Sequence, residues 1–538
     1  MTGGWIEATT IGDVLLRAAE RWPAREAVVF PEVRRTYAQL AEGSGRVARG
    51  LHALGVRRGE HVGILMPNCI DMVETLFGAA LLGAVVCPLN ARYRSAELRS
   101  VIENAEHAVL LTSDVVDEHV DYAALLHEAL PGLAESGRSD AAPTLRQVVL
   151  LGRKEAPGLV GSRRFDELAD AVPAREVEPL RARVRVRDVG LILTTSGTTA
   201  HPKGCVLTHE AIVRGARAVA ERWQVTGDDV VWDPLPLFHT SGLQPLLYTL
   251  DVGGRFACMT HFDPDVALGQ LRDEGATVVS STFPPVTMAL ANHPGFASLD
   301  TRRIRVVITV APPDTLRLVQ AAFPRAAQSG AYGLCEAGGY VSVNELEEDD
   351  ELRLTNVGRP FPGIEVRVIG AAGEQLPPGE QGELLVRGFT LFERYHADPE
   401  GTAEVLDPDG WLHTGDRGSL DARGRISFGG RIKELIRVGG ENVGPAEIEG
   451  FLSTHPAVHL VQAVGVPDGR LDEVPAVFVE LKPGAHVTES ELIDFCRGQI
   501  ASFKVPRHVR IVREWPMSAT KIQRFRLREQ LLAELGLE

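Results

Sequence analysis

The chain has 538 residues, with 56 Lys and Arg against 72 Asp and Glu for a formal net charge of −16, and 44% of its residues are hydrophobic. That length points to more than one domain, and the composition is that of a globular protein with sizeable cores. The acidic balance excludes a general binder of nucleic acid or anionic membranes, but it leaves room for a local basic loop around an anionic ligand.

The six cysteines, Cys69, Cys87, Cys205, Cys258, Cys335 and Cys496, are scattered and form no C-x-x-C pair. Reduced thiols in the cytoplasm fit them better than a disulfide framework or a zinc site. The N-terminus has neither a basic stretch nor an apolar core, and no apolar run is long enough for a membrane span, so a cytoplasmic protein is expected.

Strands and helices alternate from the start. A helix around Val14–Ala19 leads to a strand at Ala27–Phe30. A second helix opens at Thr36-Tyr37 and runs to Leu54-Gly55. The strand Val62–Leu65, the helix Asp71–Leu82, the strand Gly83–Asn90, the helix Glu97–Ala105 and the strand Val109–Thr112 follow. This alternation implies a mostly parallel sheet covered by helices. Residues 131–187 read as a variable surface connector with one strand, Gln147–Leu151, inside it. Within it Arg181, Arg183, Arg185 and Arg187 alternate with small or apolar residues, which reads as a solvated strand face.

The chain then reaches Thr194-Thr195-Ser196-Gly197-Thr198-Thr199-Ala200-His201-Pro202-Lys203-Gly204. It follows the apolar strand Val189–Leu193 and precedes a helix expected to start at Thr208, with Thr208 as N-cap and Glu210 in the first turn. A loop of hydroxyls and glycines between strand and helix suits phosphate, because N–H groups and hydroxyls converge on its oxygens and Lys203 adds charge. The Gly-x-x-x-x-Gly-Lys-Ser/Thr spacing of the P-loop cannot be laid on it. Further buried strands are expected at Val230–Trp232, Thr277–Ser280 and Arg305–Thr309. After Asn356 short alternating strands, Glu365–Ile369 and Gly382–Gly388, mark a β-rich subdomain. Around Gly429-Gly430-Arg431 a further segment begins with its own helix, Pro445–Ser453, long enough for a small independent domain.

These residues resemble the adenylate-forming (ANL) superfamily, which joins acyl-CoA synthetases, adenylation domains and firefly luciferase, and most closely its acyl-CoA ligase branch. The resemblance spans nearly the whole chain. The Thr194–Gly204 loop is similar to the family's T-S-G-T-T-G-x-P-K-G. Tyr332-Gly333-Leu334-Cys335-Glu336 is similar to Y-G-x-T-E, and Gly410–Asp416 to G-W-x-x-T-G-D. Gly430-Arg431-Ile432-Lys433-Glu434, with Gly439–Val443 and Glu447–Glu449, resembles its interdomain segment, and Ser518-Ala519-Thr520-Lys521-Ile522 its C-terminal lysine motif.

The resemblance implies an α/β fold: a large N-terminal domain of helix-covered mixed and parallel sheets with a β-rich subdomain (1–430), a hinge (431–433, with Lys433 at the pivot) and a small mobile α+β C-terminal domain (434–538). It implies a carboxylate that attacks ATP to give acyl-AMP and pyrophosphate, after which CoA displaces AMP. Lys521, Lys203, His239 and Glu336 are then the candidate catalytic residues. Thr195, Ser196, Gly197, Thr198, Thr199 and Lys203 would hold phosphates, and Glu336 with Thr198 would hold Mg²⁺. Gly330, Ala331, Tyr332, Gly333, Cys335, Asp416, Arg431 and Lys521 would meet the rest of the nucleotide, Tyr332 by stacking on adenine and Asp416 by accepting the ribose hydroxyls. A core tyrosine and a satisfied core histidine are the competing readings of Tyr332 and His239. His239, Ser241, Gly242, Phe283, Thr309, Val310 and Gly330 would wall an acyl pocket for an uncharged hydrophobic acid.

Four departures gather around the nucleotide: Ala200 for glycine, Thr309-Val310 for two small residues, Cys335 for threonine and Thr520 for glycine. Each lost hydrogen bond to a charged group costs about 1.5–3 kcal/mol. A variant with weak adenylation that mainly thioesterifies preformed acyl-AMP is therefore a second reading. An enzyme loading a pantetheinylated carrier protein and a non-catalytic acyl-adenylate binder are two more. The expected partners are the acid or its adenylate and CoA, with a carrier protein and a second copy of the chain left open.

Overall fold

The computed structural model describes residues 9–195, 203–438, 441–518 and 521–537. Local signals explain most element starts. Thr36 and Gln39 form a reciprocal capping box that opens the helix Tyr37–Ala53. Thr208 caps His209–Arg222 through the Ala211 N–H, as the sequence predicts.

Two large sheets organise the first part of the chain. The seven-stranded sheet runs in the order Ala327–Ser329, Val306–Ile308, Val278–Ser280, Val230–Trp232, Arg255–Ala257, Glu26–Val29, Arg34–Thr36, and is parallel except for the last strand. The eight-stranded sheet runs Arg394–Tyr395, Lys203–Thr208, Val189–Thr195, Val85–Pro88, His61–Leu65, His107–Ser113, Gln147–Leu151, Val160–Gly161. Its strands are parallel except that Lys203–Thr208 is antiparallel to both neighbours. Val231, Val278 and Phe256 from one sheet and Val86, Ile64 and Leu110 from the other share a single large core with the intervening helices. Trp232, Val279 and Val307, on the opposite face, pack in a second core under outer helices such as Pro264–Asp273 and Pro313–Ala322. Parallel strands buried on both faces need such uninterrupted apolar runs.

The expected β-rich subdomain is an antiparallel sheet of Ile364–Ile369, Gly382–Gly388, Leu412–Leu420 and Ile426–Arg431. Beyond it, Ile436–Val438, Glu441–Val443, Val458–Asp468, Asp472–Leu481 and His508–Ile511 form a five-stranded sheet. Two cores cover its faces, and every member of both comes from residue 436 onward. Among the described residues no helix is long and apolar enough to cross a membrane.

Three expectations change. The Thr194–Gly204 segment does not join strand to helix, because Val189–Thr195 pairs antiparallel with Lys203–Thr208 and it therefore closes a hairpin. The apolar Cys205-Val206-Leu207 pays the extra strand's way into the sheet by burial. The 131–187 connector holds the helices Leu133–Ser136, Ser162–Ala171 and Ala174–Arg181. The second of these packs so closely on Tyr37–Ala53 that a Cβ at Gly50 would lie 2.4 Å from the Phe165 ring. The alternating arginines are not a strand face either. Arg181 ends a helix and pairs with Asp13 at 2.6 Å, and Arg187 reaches Glu210 at 2.6 Å, so tertiary ion pairs account for charges that looked periodic.

Candidate active site

The carboxyl-terminal strand edges of the seven-stranded sheet, the antiparallel sheet and the C-terminal domain meet at one cleft. Ala331-Tyr332 forms a short ladder with Ser342-Val343, and the turn between them crosses itself at Gly333. A Cβ there would sit 1.7 Å from the Gly339 carbonyl oxygen, so only glycine fits. Gly330 is held by Asn344, whose Oδ1 accepts its N–H at 2.7 Å.

Tyr332, 4% exposed, donates its hydroxyl to Asp416 Oδ2 at 2.7 Å. Arg431 Nε lies 2.9 Å from Asp416 Oδ1, and Arg431 Nη1 donates to the Thr414 carbonyl at 2.8 Å. The two acidic and basic partners face each other because Leu412–Leu420 pairs with Ile426–Arg431 with Asp416 opposite Arg431. Burial raises the Asp416 carboxyl above its usual range, while Arg431, the Tyr332 hydrogen bond and Lys521 pull against that shift. The Phe428 ring sits 5.8 Å from that of Tyr332.

A second group stands beside it. Tyr395 donates its hydroxyl to Glu336 Oε1 at 2.7 Å. Lys203 Nζ lies 2.9 Å from Asp398 Oδ2 and 4.7 Å from the centre of the Tyr395 ring. Tyr395 reaches this place because its strand pairs with Lys203–Thr208, opposite Cys205. Cys335 is a partly buried thiol pushed up to about 12 by burial and then by Glu336, so it stays neutral.

His239 caps the helix Thr240–Asp251. Its Nδ1 accepts the Ser241 N–H at 3.4 Å and lies 3.2 Å from Ser241 Oγ, which leaves the ring proton on Nε2. Burial, and then the charge of Lys521, lower its pKa to about 4, so the ring is neutral at pH 7. Lys521 comes from the far end of the chain, yet its charge acts on His239, Cys335 and Asp416 together. Lys521 therefore lies within electrostatic reach of all three.

Around the expected acyl pocket, Thr309 is fully buried and its hydroxyl meets that of Thr287 at 3.0 Å, which in turn meets Ser281 at 2.8 Å. Val310 is 43% exposed beside it. A Cβ on Gly242 would be 2.6 Å from the carbonyl oxygens of Leu235 and Pro236, so the close packing of the helix start requires glycine there. Phe283 is partly buried and packs against the second core. Ser196, Gly197, Thr198 and Thr199, with Ala200 and Thr520, lie outside the described residues, as does the side chain of Thr195.

Sequence reasoning missed Tyr395, Asp398 and Phe428. Asp398 had a visible but misleading signal, since Asp398-Pro399 reads as a helix start. It does cap Pro399–Val405, by accepting the Gly401 N–H at 2.8 Å, while its other oxygen holds Lys203.

Comparison with known proteins agrees with this geometry. Residues 15–396 match the family model of the AMP-binding enzymes, and residues 447–521 match that of the AMP-binding enzyme C-terminal domain. The chain is 32% identical to the putative acyl-CoA synthetase YngI of Bacillus subtilis (strain 168), over 98% of each chain. It is 32% identical to the mitochondrial medium-chain acyl-CoA ligase ACSF2 of Rattus norvegicus, over 98% of this chain and 88% of that one. Among solved structures, ATP-bound MatB from Rhodopseudomonas palustris matches with a TM-score of 0.79 at 27% identity, over 97% of this chain and 99% of the other. An anthranilate CoA ligase complex with anthranoyl-AMP has a TM-score of 0.86 at 24% identity, over 98% of each chain, and shares the fold. With its two family segments in order, the chain belongs to the AMP-binding, adenylate-forming family and is an AMP-forming acid–thiol ligase of the acyl-CoA synthetase branch.

Proposed function

We propose that the protein joins a carboxylic acid with a largely apolar body to CoA through an acyl-adenylate. The observation that carries this is the convergence of Lys521 on His239, Cys335 and Asp416 from a domain with its own cores. An ammonium there offsets the charge that builds as a carboxylate meets the α-phosphate of ATP. Asp416 and Arg431 would exchange part of their mutual pairing for the ribose, and Tyr332 with Phe428 would flank the base. Lys203 would leave Asp398 for the outer phosphates. Glu336 is the described carboxylate suited to Mg²⁺, with Thr198 as its expected partner. Among the described residues no cage of three or more His, Cys, Asp or Glu exists, which fits an ion held by one carboxylate and substrate phosphates. When bound, that ion supplies neutralisation of the phosphate charge.

Neutral His239, with its proton on Nε2, would stand between the acyl site and the path of the CoA thiol. Thioester formation needs Lys521 withdrawn. The link for that motion is the short 3₁₀ turn Ile432–Glu434, with Lys433 exposed, between the last strand of the antiparallel sheet and the first strand of the C-terminal sheet. For the acid, the exposed Val310 beside Thr309 supports an apolar body. Relatives named for their acids span medium-chain acyl groups and, at 34% identity in Rhodococcus jostii (strain RHA1), a propanoate on a methyl-dioxo-octahydroindene ring.

Acid-dependent exchange of pyrophosphate into ATP, measured beside CoA thioester formation from acid plus ATP and from synthetic acyl-AMP, tests the reading. Exchange and both thioester reactions are expected. Thioester from acyl-AMP without exchange would favour the variant with weak adenylation, which the neutral Cys335 thiol, a poorer donor than threonine, also supports.

A further inference from the structure

A second polar group lies deeper than the nucleotide corner. Asp233 follows the strand Val230–Trp232, and its N–H continues the ladder by donating to the Ala257 carbonyl at 2.9 Å. Trp232 is opposite Val279, so Asp233 falls in the same row as Ser280, and Ser280 is opposite Ile308. This row is the carboxyl-terminal edge of the parallel sheet, the place where open α/β sheets bind ligands. The next positions along the neighbouring strands are Thr309 and Gly330 of the expected acyl site. Val231 and Val278, two residues before Asp233 and Ser280, belong to the central core, so alternation turns Asp233 and Ser280 to that same inner side.

The helix Thr240–Asp251 and the turn ending at Tyr340 close over this edge. Thr240, Gln244 and Tyr248 share one helix face. A Cβ on Gly339 would touch Gln244 Cγ at 3.1 Å and Thr240 Cβ at 3.2 Å, and Gln244 Nε2 donates to the Gly338 carbonyl at 2.6 Å. That face begins at Thr240, which neighbours Cys335 at the nucleotide corner, and ends at Tyr248. Tyr248 and Tyr340 both interact with Asp233, and Ser280 stands close to Asp233 and Tyr248.

Asp233 Oδ2, Ser280 Oγ and Tyr248 OH are buried within reach of one another, with the one Ser280 hydroxyl shared between the other two, and Tyr340 OH and Gln244 Oε1 are buried with no hydrogen bond among the described residues. Asp233, Ser280, Tyr248 and Gln244 are fully buried, and Tyr340 is 8% exposed. A single serine hydroxyl cannot satisfy all of these groups, and a buried polar atom without a partner is costly, so the cluster points to a group that satisfies the remainder jointly. Burial holds the Asp233 carboxyl well above the usual carboxylate range, and its Oδ1 already accepts the Leu235 N–H at 2.7 Å. Burial therefore favours the neutral carboxyl, whose Oδ2 donates as the two phenols do. Burial raises both phenols as well. A neutral cluster rich in donors suits an uncharged oxygen.

We propose that Asp233, Ser280, Tyr248 and Tyr340 form the far end of the acyl pocket and select an acid whose apolar body carries a keto or hydroxyl oxygen remote from its carboxylate. This rests on the ligase reading and adds the substrate class to it. It also refines the expectation of a plain hydrophobic acid by adding one remote oxygen to it.

The test compares kcat/KM for matched acids in thioester formation by the full chain with ATP and CoA. The panel is a set of linear alkanoates of increasing length with their ω-hydroxy, terminal methyl-ketone and ω-amino analogues, together with cyclohexylpropanoate and its ring ketone. An oxygen-bearing acid should be preferred over its unsubstituted match by about tenfold or more, and Tyr340→Phe and Tyr248→Phe should each shrink that ratio by about fivefold to tenfold. Thermal unfolding of both variants checks that they fold, and using two sites guards against one failing. Equal or better use of the unsubstituted acids overturns the inference and leaves the ligase reading standing. So does a preference for the amino analogue, which would mean an ionised Asp233. A ratio unmoved in both variants while their unfolding temperatures fall would assign the cluster to internal water alone and overturn it too. No thioester from any acid sinks the ligase reading and this inference with it.

Discussion

Two buried aspartates in this molecule meet opposite fates. Asp416 is 2% exposed and Asp233 is 0% exposed, and burial raises the pKa of both. Asp416 has Arg431 at 2.9 Å, delivered by the neighbouring strand of its own antiparallel sheet, and the Tyr332 hydroxyl at 2.7 Å, delivered by the separate Ala331-Tyr332 ladder. Asp233 has one backbone N–H and a set of neutral hydroxyls. The first keeps a charge ready for a ligand that forms two hydrogen bonds to an anion. The second gives up its charge and offers a proton. What decides between them is the partner that the fold supplies, since the degree of burial is nearly the same.

The largest expected effect breaks the charged side. Lys521→Ala should lower acid-dependent pyrophosphate exchange by about a hundredfold or more, because it removes a preorganised charge from the transition state. Thioester formation from synthetic acyl-AMP should fall far less, and a proportional loss in both reactions would show that Lys521 serves general binding. Next, Asp416→Asn should raise the KM for ATP by about tenfold to a hundredfold, the worth of a hydrogen bond to a charged group. Removing one member of the Asp416–Arg431 pair should also destabilise the fold in urea denaturation, by less than the roughly 3–5 kcal/mol of a fully buried pair, because the Arg431 side chain is 44% exposed. Tyr332→Phe is the milder cut. It removes one neutral donor from Asp416 and should cost about fivefold in kcat/KM for ATP.

The neutral side is sharpened by pH, with the smallest effect on activity. Burial raises the folded Asp233 pKa well above the ordinary carboxylate range. As pH rises past the unfolded value, the unfolded chain loses a proton that the folded chain keeps, so Asp233 costs stability increasingly with pH. Asp233→Asn should therefore be about as stable as the parent near pH 3.5–4 and gain on it above that. The slope is at most about 1.4 kcal/mol per pH unit, the value for one proton, until the folded group ionises. Urea denaturation of both proteins across pH reads this directly. A gap that does not grow with pH would mean that Asp233 is ionised in the folded state, as Asp416 is in its pair.

The motifs made Asp416, Arg431, Glu336, Lys203 and Lys521 visible, because the spacing of glycine and charge around a nucleotide leaves a linear trace. Asp398 and Tyr395 were hidden. Asp398 reads as an ordinary helix cap, and Tyr395 gains its place only by pairing with a strand almost two hundred positions earlier in the chain. Gly242 reads as a pocket residue, and the carbonyl oxygens 2.6 Å from its Cβ position add a packing reason for glycine that the sequence does not show. Asp233 gave no motif at all, and what singles it out is the company of Ser280, Tyr248 and Tyr340, from three other elements.

Hydrophobic periodicity and capping determined, from the sequence alone, the helices, most strands and the parallel α/β character. These are local properties, set by the next few side chains. Only the tertiary structure decided that Val189–Thr195 takes Lys203–Thr208 as its antiparallel partner, that the charge of Lys521 bears on His239, and that one buried aspartate faces an arginine while another faces neutral groups. The reason is physical: ion pairing, desolvation and strand partnership act through distance in space, and residues that are remote in the chain set those distances.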